Sequence, residues 1–254
     1  MMELLREGWE HKTDGTGEAG FQQELRARGV DTTVNTNWLD VLTRHGSYTQ
    51  ANLSAAGGSN KTKFYVSGGL YDSKSALKGV DYKRITGKLN LSNQATARLS
   101  FDVNLSLSYQ RANAVADMGL MANPVRSLVR LQPWLKVYNE DGSYDFSYNN
   151  TFNPVAIMNG NTRTGTIYGL LGGAGAKYAF TDFLSFETKI SLDLNYARSN
   201  LFFEPGFADG RNTNGWILVN NSLWNNWVST NILRFNRRWG NHGISTFVGY
   251  EAQK

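Results

Sequence analysis

Two stretches of strict alternation decide most of what this chain can become. Across residues 99–109 (Leu-Ser-Phe-Asp-Val-Asn-Leu-Ser-Leu-Ser-Tyr) every odd position is apolar and every even position polar. Residues 184–196 repeat the pattern, with Thr188 the one soft member of the apolar set. Successive side chains of a strand point to opposite sides of the sheet. A period of two over ~11 residues therefore specifies one apolar and one polar face. Strands of water-soluble domains run ~5–6 residues, whereas a tilted strand crossing a bilayer must cover ~9–11. Length favours a membrane wall.

Six further segments read as strands: 48–57, 63–71, 82–92, 167–180, 217–236 and 244–251. In 82–92 the set Ile85, Gly87, Leu89 and Leu91 opposes Arg84, Thr86, Lys88 and Asn90. In 217–236 the phase breaks, with Val228 and Ile232 on one parity and Leu233 and Phe235 on the other. A bulge near Ile232 would repair it.

The connections alternate in length. Residues 58–61, 93–97, 181–182 and 240–243 are short and rich in Gly, Asn, Asp and Ser, whereas 72–81, 112–163 and 199–215 are long. Short turns at one end and long loops at the other are the pattern of an outer-membrane barrel. Tyr109, Tyr178, Phe180 and Trp239 fall near strand ends, where interfacial aromatic girdles sit. The expected fold is all-β: about eight antiparallel strands of a larger transmembrane β-barrel, forming an open curved sheet. Residues 1–47 form an inter-strand connection with a helical piece at 21–28, 48–111 four strands, 112–163 a long extracellular loop, and 164–254 four more strands. Arg84, Lys88, Asp102, Asn104, Glu187, Lys189 and Asp193 are then candidates to line a wet interior.

Composition agrees once read this way. Mean hydropathy is −0.42, and no run approaches the ~20 apolar residues of a membrane-spanning helix. Alternating strands average to mild hydrophilicity, so neither observation excludes the membrane. Cysteine is absent, which removes disulfides and thiolate metal sites. The net charge of +5 is spread along the chain without a basic run, which argues against nucleic acid. Met1-Met2-Glu3-Leu4-Leu5-Arg6-Glu7 lacks the features of a secretory leader, so an exported barrel starting here is expected to be part of a longer one.

Several patterns imitate chemistry. The run 169–177 is Gly-rich, but no Gly precedes Lys177 and no Ser or Thr follows it, so it fails the phosphate-loop spacing. Small residues in a packed strand explain it better. Asn139-Glu140-Asp141-Gly142-Ser143-Tyr144-Asp145 misses the calcium-loop pattern and reads as an exposed turn. His11, His45 and His242 are isolated, with no i, i+3 or i, i+4 pairing. Neither a catalytic group nor a cofactor or metal site is expected. The functional stretch is the loop 112–163, whose Trp134, Tyr138, Tyr144, Phe146 and Tyr148 could stack on a ligand, grip a partner, or bury one another.

Four motifs in order carry a family resemblance. They are Asn37-Trp38-Leu39-Asp40, then Asn52-Leu53-Ser54-Ala55-Ala56-Gly57-Gly58-Ser59, then Lys61 to Gly69 (KTKFYVSGG), then Lys78-Gly79-Val80-Asp81-Tyr82-Lys83-Arg84. The stretch 224–249 adds a fifth. Together they resemble the SusC/RagA family of TonB-dependent outer-membrane transporters; Asn37 and Val80 stand where that family often has Asp and Ser. The resemblance implies a barrel of about 22 strands closed by a plug, and import of large nutrients of the glycan or peptide class. It also implies a SusD-like surface lipoprotein as partner and energy from the TonB system through a region upstream of this segment. A second reading is a soluble β-rich carbohydrate-binding or hydrolytic module, which the strand lengths and segregated loops argue against.

Overall fold

The alternating segments form one sheet. Eight antiparallel strands pair in chain order: β1 (Ser47–Gly58), β2 (Thr62–Lys74), β3 (Asp81–Gln94), β4 (Leu99–Ala114), β5 (Thr162–Ala179), β6 (Leu184–Phe203), β7 (Trp216–Trp239) and β8 (His242–Gln253). The computed structural model describes residues 6–7, 10–11, 17–27, 30–31, 33–115, 123–147, 152–206 and 208–254, without the side chains of 127–129. The sheet is open, with β1 and β8 as its edges.

Strands run further than alternation alone marks them, to 20 residues in β6 and 24 in β7. No bulge occurs near Ile232. The β6–β7 register is continuous from Phe203↔Trp216 to Leu184↔Phe235, and β7–β8 from Val228↔Gln253 to Trp239↔His242. Val228 and Ile232 therefore stand on the polar face and Leu233 and Phe235 on the apolar one. An apolar side chain on a mixed face costs little, whereas a bulge forfeits ladder hydrogen bonds.

Residues directly opposite on neighbouring strands share a face. Following the registers from β1 to β8, the apolar face carries Leu53, Leu70, Leu89, Val103, Leu105, Leu170, Leu192, Leu233 and Val248. Two aromatic belts bound it. Near the long loops Tyr109, Tyr168 and Tyr196 lie side by side, with centroids 5.2 and 6.3 Å apart. Near the short turns Tyr178 packs edge-on to Phe180 at 5.1 Å and Phe183 to Phe235 at 5.6 Å. Ten residues separate Tyr168 from Tyr178. At ~3.4 Å per residue and a tilt of ~40° that is roughly 26 Å, the height of a barrel's apolar band. No charged residue of the strands stands between the belts on this face.

Connections of few residues sit at one end. The β7–β8 hairpin closes on Gly240-Asn241, with Gly240 at φ +54°, as expected for a tight turn with glycine in its first central position. The other end carries a cap of short helices: α1 (Gly17–Ala27), α2 (Trp38–Leu42), α3 (Pro124–Arg130), α4 (Pro154–Gly160) and a 3-10 turn at Ala208–Thr213. In α1, Phe21 and Leu25 are one helical turn apart and both buried.

Candidate functional site

The motif Asn37-Trp38-Leu39-Asp40 builds the cap. The Asn37 side chain accepts from the Leu39 N–H at 3.2 Å and so starts α2. It also donates to Asp40 at 2.6 Å. Trp38 is buried, and its Nε1–H donates to the Gln132 carbonyl at 3.0 Å, tying α2 to the long loop. Thr36 adds two bonds to that loop, N–H to the Pro133 carbonyl and Oγ1–H to the Leu135 carbonyl, both 2.6 Å. Lys78 donates to the last carbonyls of α2, Asp40 at 3.2 Å and Val41 at 2.7 Å. Arg44 reaches Ser75, Val80 and the Asp81 carboxylate. Two of the motifs therefore meet, one holding the other to the β2–β3 loop.

Within the long loop, Val137 to Asp145 forms a small hairpin through the bridge Tyr138↔Tyr144. Its tip is an Asx-type turn: Asp141 accepts from the Ser143 N–H and hydroxyl at 2.9 and 2.6 Å. Those bonds favour the carboxylate form and hold the Asp141 pKa below the ordinary carboxylate value. Asp141 is thus directed to its own turn. Tyr138 and Tyr144 stack at 5.4 Å and Phe146 tilts against Tyr144 at 6.4 Å. Trp134 is half-buried nearby in the loop sequence, and Tyr148 lies outside the described residues. Three of the five loop aromatics thus pack on one another, with Tyr138 keeping 48% of its surface exposed.

Beneath the hairpin Asn153 is fully buried and fully used. Its Nδ2 donates to the carbonyls of Val137 and Asp145 at 2.8 and 3.0 Å, while its Oδ1 accepts from the Val155 and Ala156 N–H groups of α4. Asn161 at the other end of α4 accepts from the Glu204 N–H at 2.9 Å, joining the long loop to the end of β6.

Arg84, Lys88, Asp102, Asn104, Glu187, Lys189 and Asp193 all stand on the polar face. Asp102 and Lys189 flank Gly175 in one row, Asn104 and Ser191 flank Gly173, and Ser106 and Asp193 flank Leu171. A side chain on Gly175 would meet the Asp102 carboxylate at 2.5 Å, and one on Gly169 would meet Ser108 and Asn195. The glycines of β5 thus form the floor of a trough whose walls are polar side chains of β4 and β6. Glu187 pairs with Arg234 of β7 at 3.6 Å, and Asp193 accepts from Asn195 at 2.6 Å.

Sequence reasoning missed an aromatic ladder on the same face near the long loops. Tyr48 of β1 stacks on Tyr71 of β2 at 6.2 Å, and Tyr82 of β3 follows at 6.0 Å. The Arg84 guanidinium lies 5.8 Å over the Tyr71 ring, and the Tyr82 hydroxyl donates to Gln110 at 2.9 Å. Each tyrosine is visible in the sequence, but only the strand register makes them neighbours.

No family model matches the chain. Among curated proteins it is similar to TonB-dependent receptor P3 of Formosa agariphila, 24% identical over 243 residues, covering 93% of this chain and 24% of that receptor. It is also 24% identical to TonB-dependent receptor P39 of the same organism over 260 residues, covering 99% of this chain and 23% of that receptor. The chain thus spans about a quarter of the length of the curated relatives it matches. Among solved structures it superposes on the RagAB peptide importer in the closed-closed state with a TM-score of 0.64 at 17% identity, covering 87% of this chain and 26% of that one. A second structure, of the RagAB peptide transporter, gives 0.62 at 15% identity, covering 88% and 27%. The open eight-stranded sheet has the fold of such barrel walls.

Proposed function

We propose that this chain, a stretch of barrel wall of the SusC/RagA-like TonB-dependent receptor type, lines a channel that imports a large nutrient across the bacterial outer membrane. The observation that carries the reading is the partition of one continuous register. One face is neutral between two aromatic belts, and the other holds the charges and amides. The first suits lipid and the second a wet lumen. Arg84, Lys88, Asp102, Asn104, Glu187, Lys189 and Asp193 then line that lumen, and the loop cap faces the outside.

The nutrient is of the glycan or peptide class. At the mouth, Tyr48, Tyr71 and Tyr82 offer flat apolar surface, with Arg84 and Gln110 beside them for polar groups. Trp134, Tyr138, Tyr144 and Phe146 offer more from the cap. Energy comes from the TonB system acting on parts of the receptor outside this chain, and a SusD-like lipoprotein docks on the cap. A soluble carbohydrate module would have to leave Leu53, Leu223 and Val248 uncovered, at 81%, 67% and 74% exposure.

The test is uptake of labelled oligosaccharide and peptide pools by cells with and without this reading frame. Loss of one size-limited class on deletion, and loss of the same uptake when the proton-motive force is collapsed, is the expected result. Uptake unchanged by deletion sinks the reading.

A further inference from the structure

The apolar face carries a feature that import does not require. One step beyond the tyrosine belt, toward the long loops, a single cross-strand row holds Lys83 of β3, Arg111 of β4, Thr166 of β5, Arg198 of β6 and Asn221 of β7. Lys83 and Arg111 are directly opposite one another, an arrangement that destabilises a sheet unless an anion lies between. Lys83, Arg111 and Arg198 are all exposed, and no ion pair within 4.0 Å forms on them among the described residues. Two carboxylates stand close. Asp72 faces Lys83 across the ladder, and Asp81, one row further out, is held by Arg44. The row keeps a surplus of positive charge even when Asp72 is counted against Lys83.

Directly below lies a groove of about 640 Å³ on the same face. Its walls include Ile85, Leu107, Tyr109, Tyr168, Leu194 and Tyr196. Cations above, tyrosines at the boundary and an apolar slot beneath match an amphiphile with an anionic head and hydrocarbon tails. From Lys83 to Arg198 the row crosses three strand spacings of ~4.8 Å, or roughly 14 Å. That is wide for the single phosphate of a glycerophospholipid and suited to a phosphorylated disaccharide headgroup.

We propose that this patch is a binding site for a phosphorylated, multiply acylated glycolipid of the outer leaflet, with phosphates on Lys83, Arg111 and Arg198 and an acyl chain in the groove. The proposal rests on the outer-membrane orientation given above. Its test uses the full polypeptide that carries this chain, extracted from outer membranes in mild detergent and weighed by native mass spectrometry. Lipopolysaccharide should be retained, and purified lipopolysaccharide should restore it after delipidation. In Lys83→Gln/Arg111→Gln/Arg198→Gln retention should fall roughly tenfold or more. Arg111→Gln alone should fall in between, and it decides the matter if the triple variant does not assemble. Removing three cations at the opposite end (Lys61→Gln/Arg98→Gln/Arg238→Gln) should leave retention unchanged. Equal retention in the first triple variant, no lipopolysaccharide on the native protein, or equal competition by phosphatidylglycerol overturns the proposal while leaving import standing. A protein absent from the outer membrane overturns both.

Discussion

The sheet and its cap are held together by different physics, although one chain builds both. Among the described residues, nearly every buried large apolar side chain belongs to the cap or its junction: Phe21, Leu25, Trp38, Leu42, Leu131, Ile157 and Phe203. In the wall, Leu53, Phe64, Leu107, Ile190 and Val248 remain exposed, and what is satisfied is the backbone, bonded strand to strand along seven continuous registers. The cap is a small water-type core. The wall is a membrane-type structure, bonded strand to strand inside its two open edges and dependent on lipid for its apolar face. Mutations should therefore separate the two, the cap responding to lost volume and the wall to misplaced charge.

The largest separation is expected from Trp38→Ala. Trp38 is 4% exposed and bonded to the Gln132 carbonyl. Its truncation should cost the cap about 3–5 kcal/mol, opening residues 33–46 and 131–136 to amide exchange while the strands stay protected. Strand protection falling in step with the cap would erase the distinction. Leu105→Arg tests the other side. Leu105 stands mid-band on the apolar face, where an arginine costs about 2–4 kcal/mol. Asn104→Arg, one residue back, points to the polar face opposite the neutral Asn90 and Gly173 and should be nearly neutral when folding is followed in lipid vesicles. Equal penalties would mean that the faces are not lipid and water. Asn153→Ala comes next, at roughly 1–2 kcal/mol for the lost cap of α4. It also strands the Val137 and Asp145 carbonyls, so proteolysis should start in the Val137–Asp145 hairpin and spare β4 and β5.

The two regions were unequally legible in the sequence. Alternation in 99–109 and 184–196 gave strands and faces together, because a period of two carries both, and loop lengths gave the two ends. Register was not legible. The Tyr48–Tyr71–Tyr82 ladder and the Lys83–Arg111–Arg198 row arise from pairing, to which single strands are blind. The broken phase of β7 suggested a bulge because apolar residues were assigned to one face, whereas Val228 and Ile232 accept the polar one. The cap was least legible, since its core is assembled from distant short pieces. Even so, the Asn37-Trp38-Leu39-Asp40 motif acquires a physical account: helix start, wedge and clasp.

The smallest effect expected is electrostatic and confined to the cap. Asp31 accepts from the Thr33 hydroxyl and N–H and lies 3.3 Å from the Lys136 ammonium. The Thr33 hydroxyl first, then its N–H, then Lys136 hold the Asp31 pKa below the ordinary carboxylate value. A group with a depressed folded pKa stabilises above its unfolded value and loses that contribution as pH falls through the folded one. The clip that joins Asp31 to Thr33 and Lys136 should therefore be intact at neutral pH and loosen only below about pH 4. Protection of amides 33–36 relative to their intrinsic exchange rates, next to where Thr36 bonds Pro133 and Leu135, should fall there, and Asp31→Asn should show the lower protection at every pH. Lys136 also carries a salt dependence that buried Trp38 does not share. Added salt should therefore mimic part of the acid effect in the cap and leave the wall, whose strands are held by backbone bonds, unmoved. A wall that loosens with the cap on acidification would place the coupling between them in charge and not in the buried contacts around Trp38.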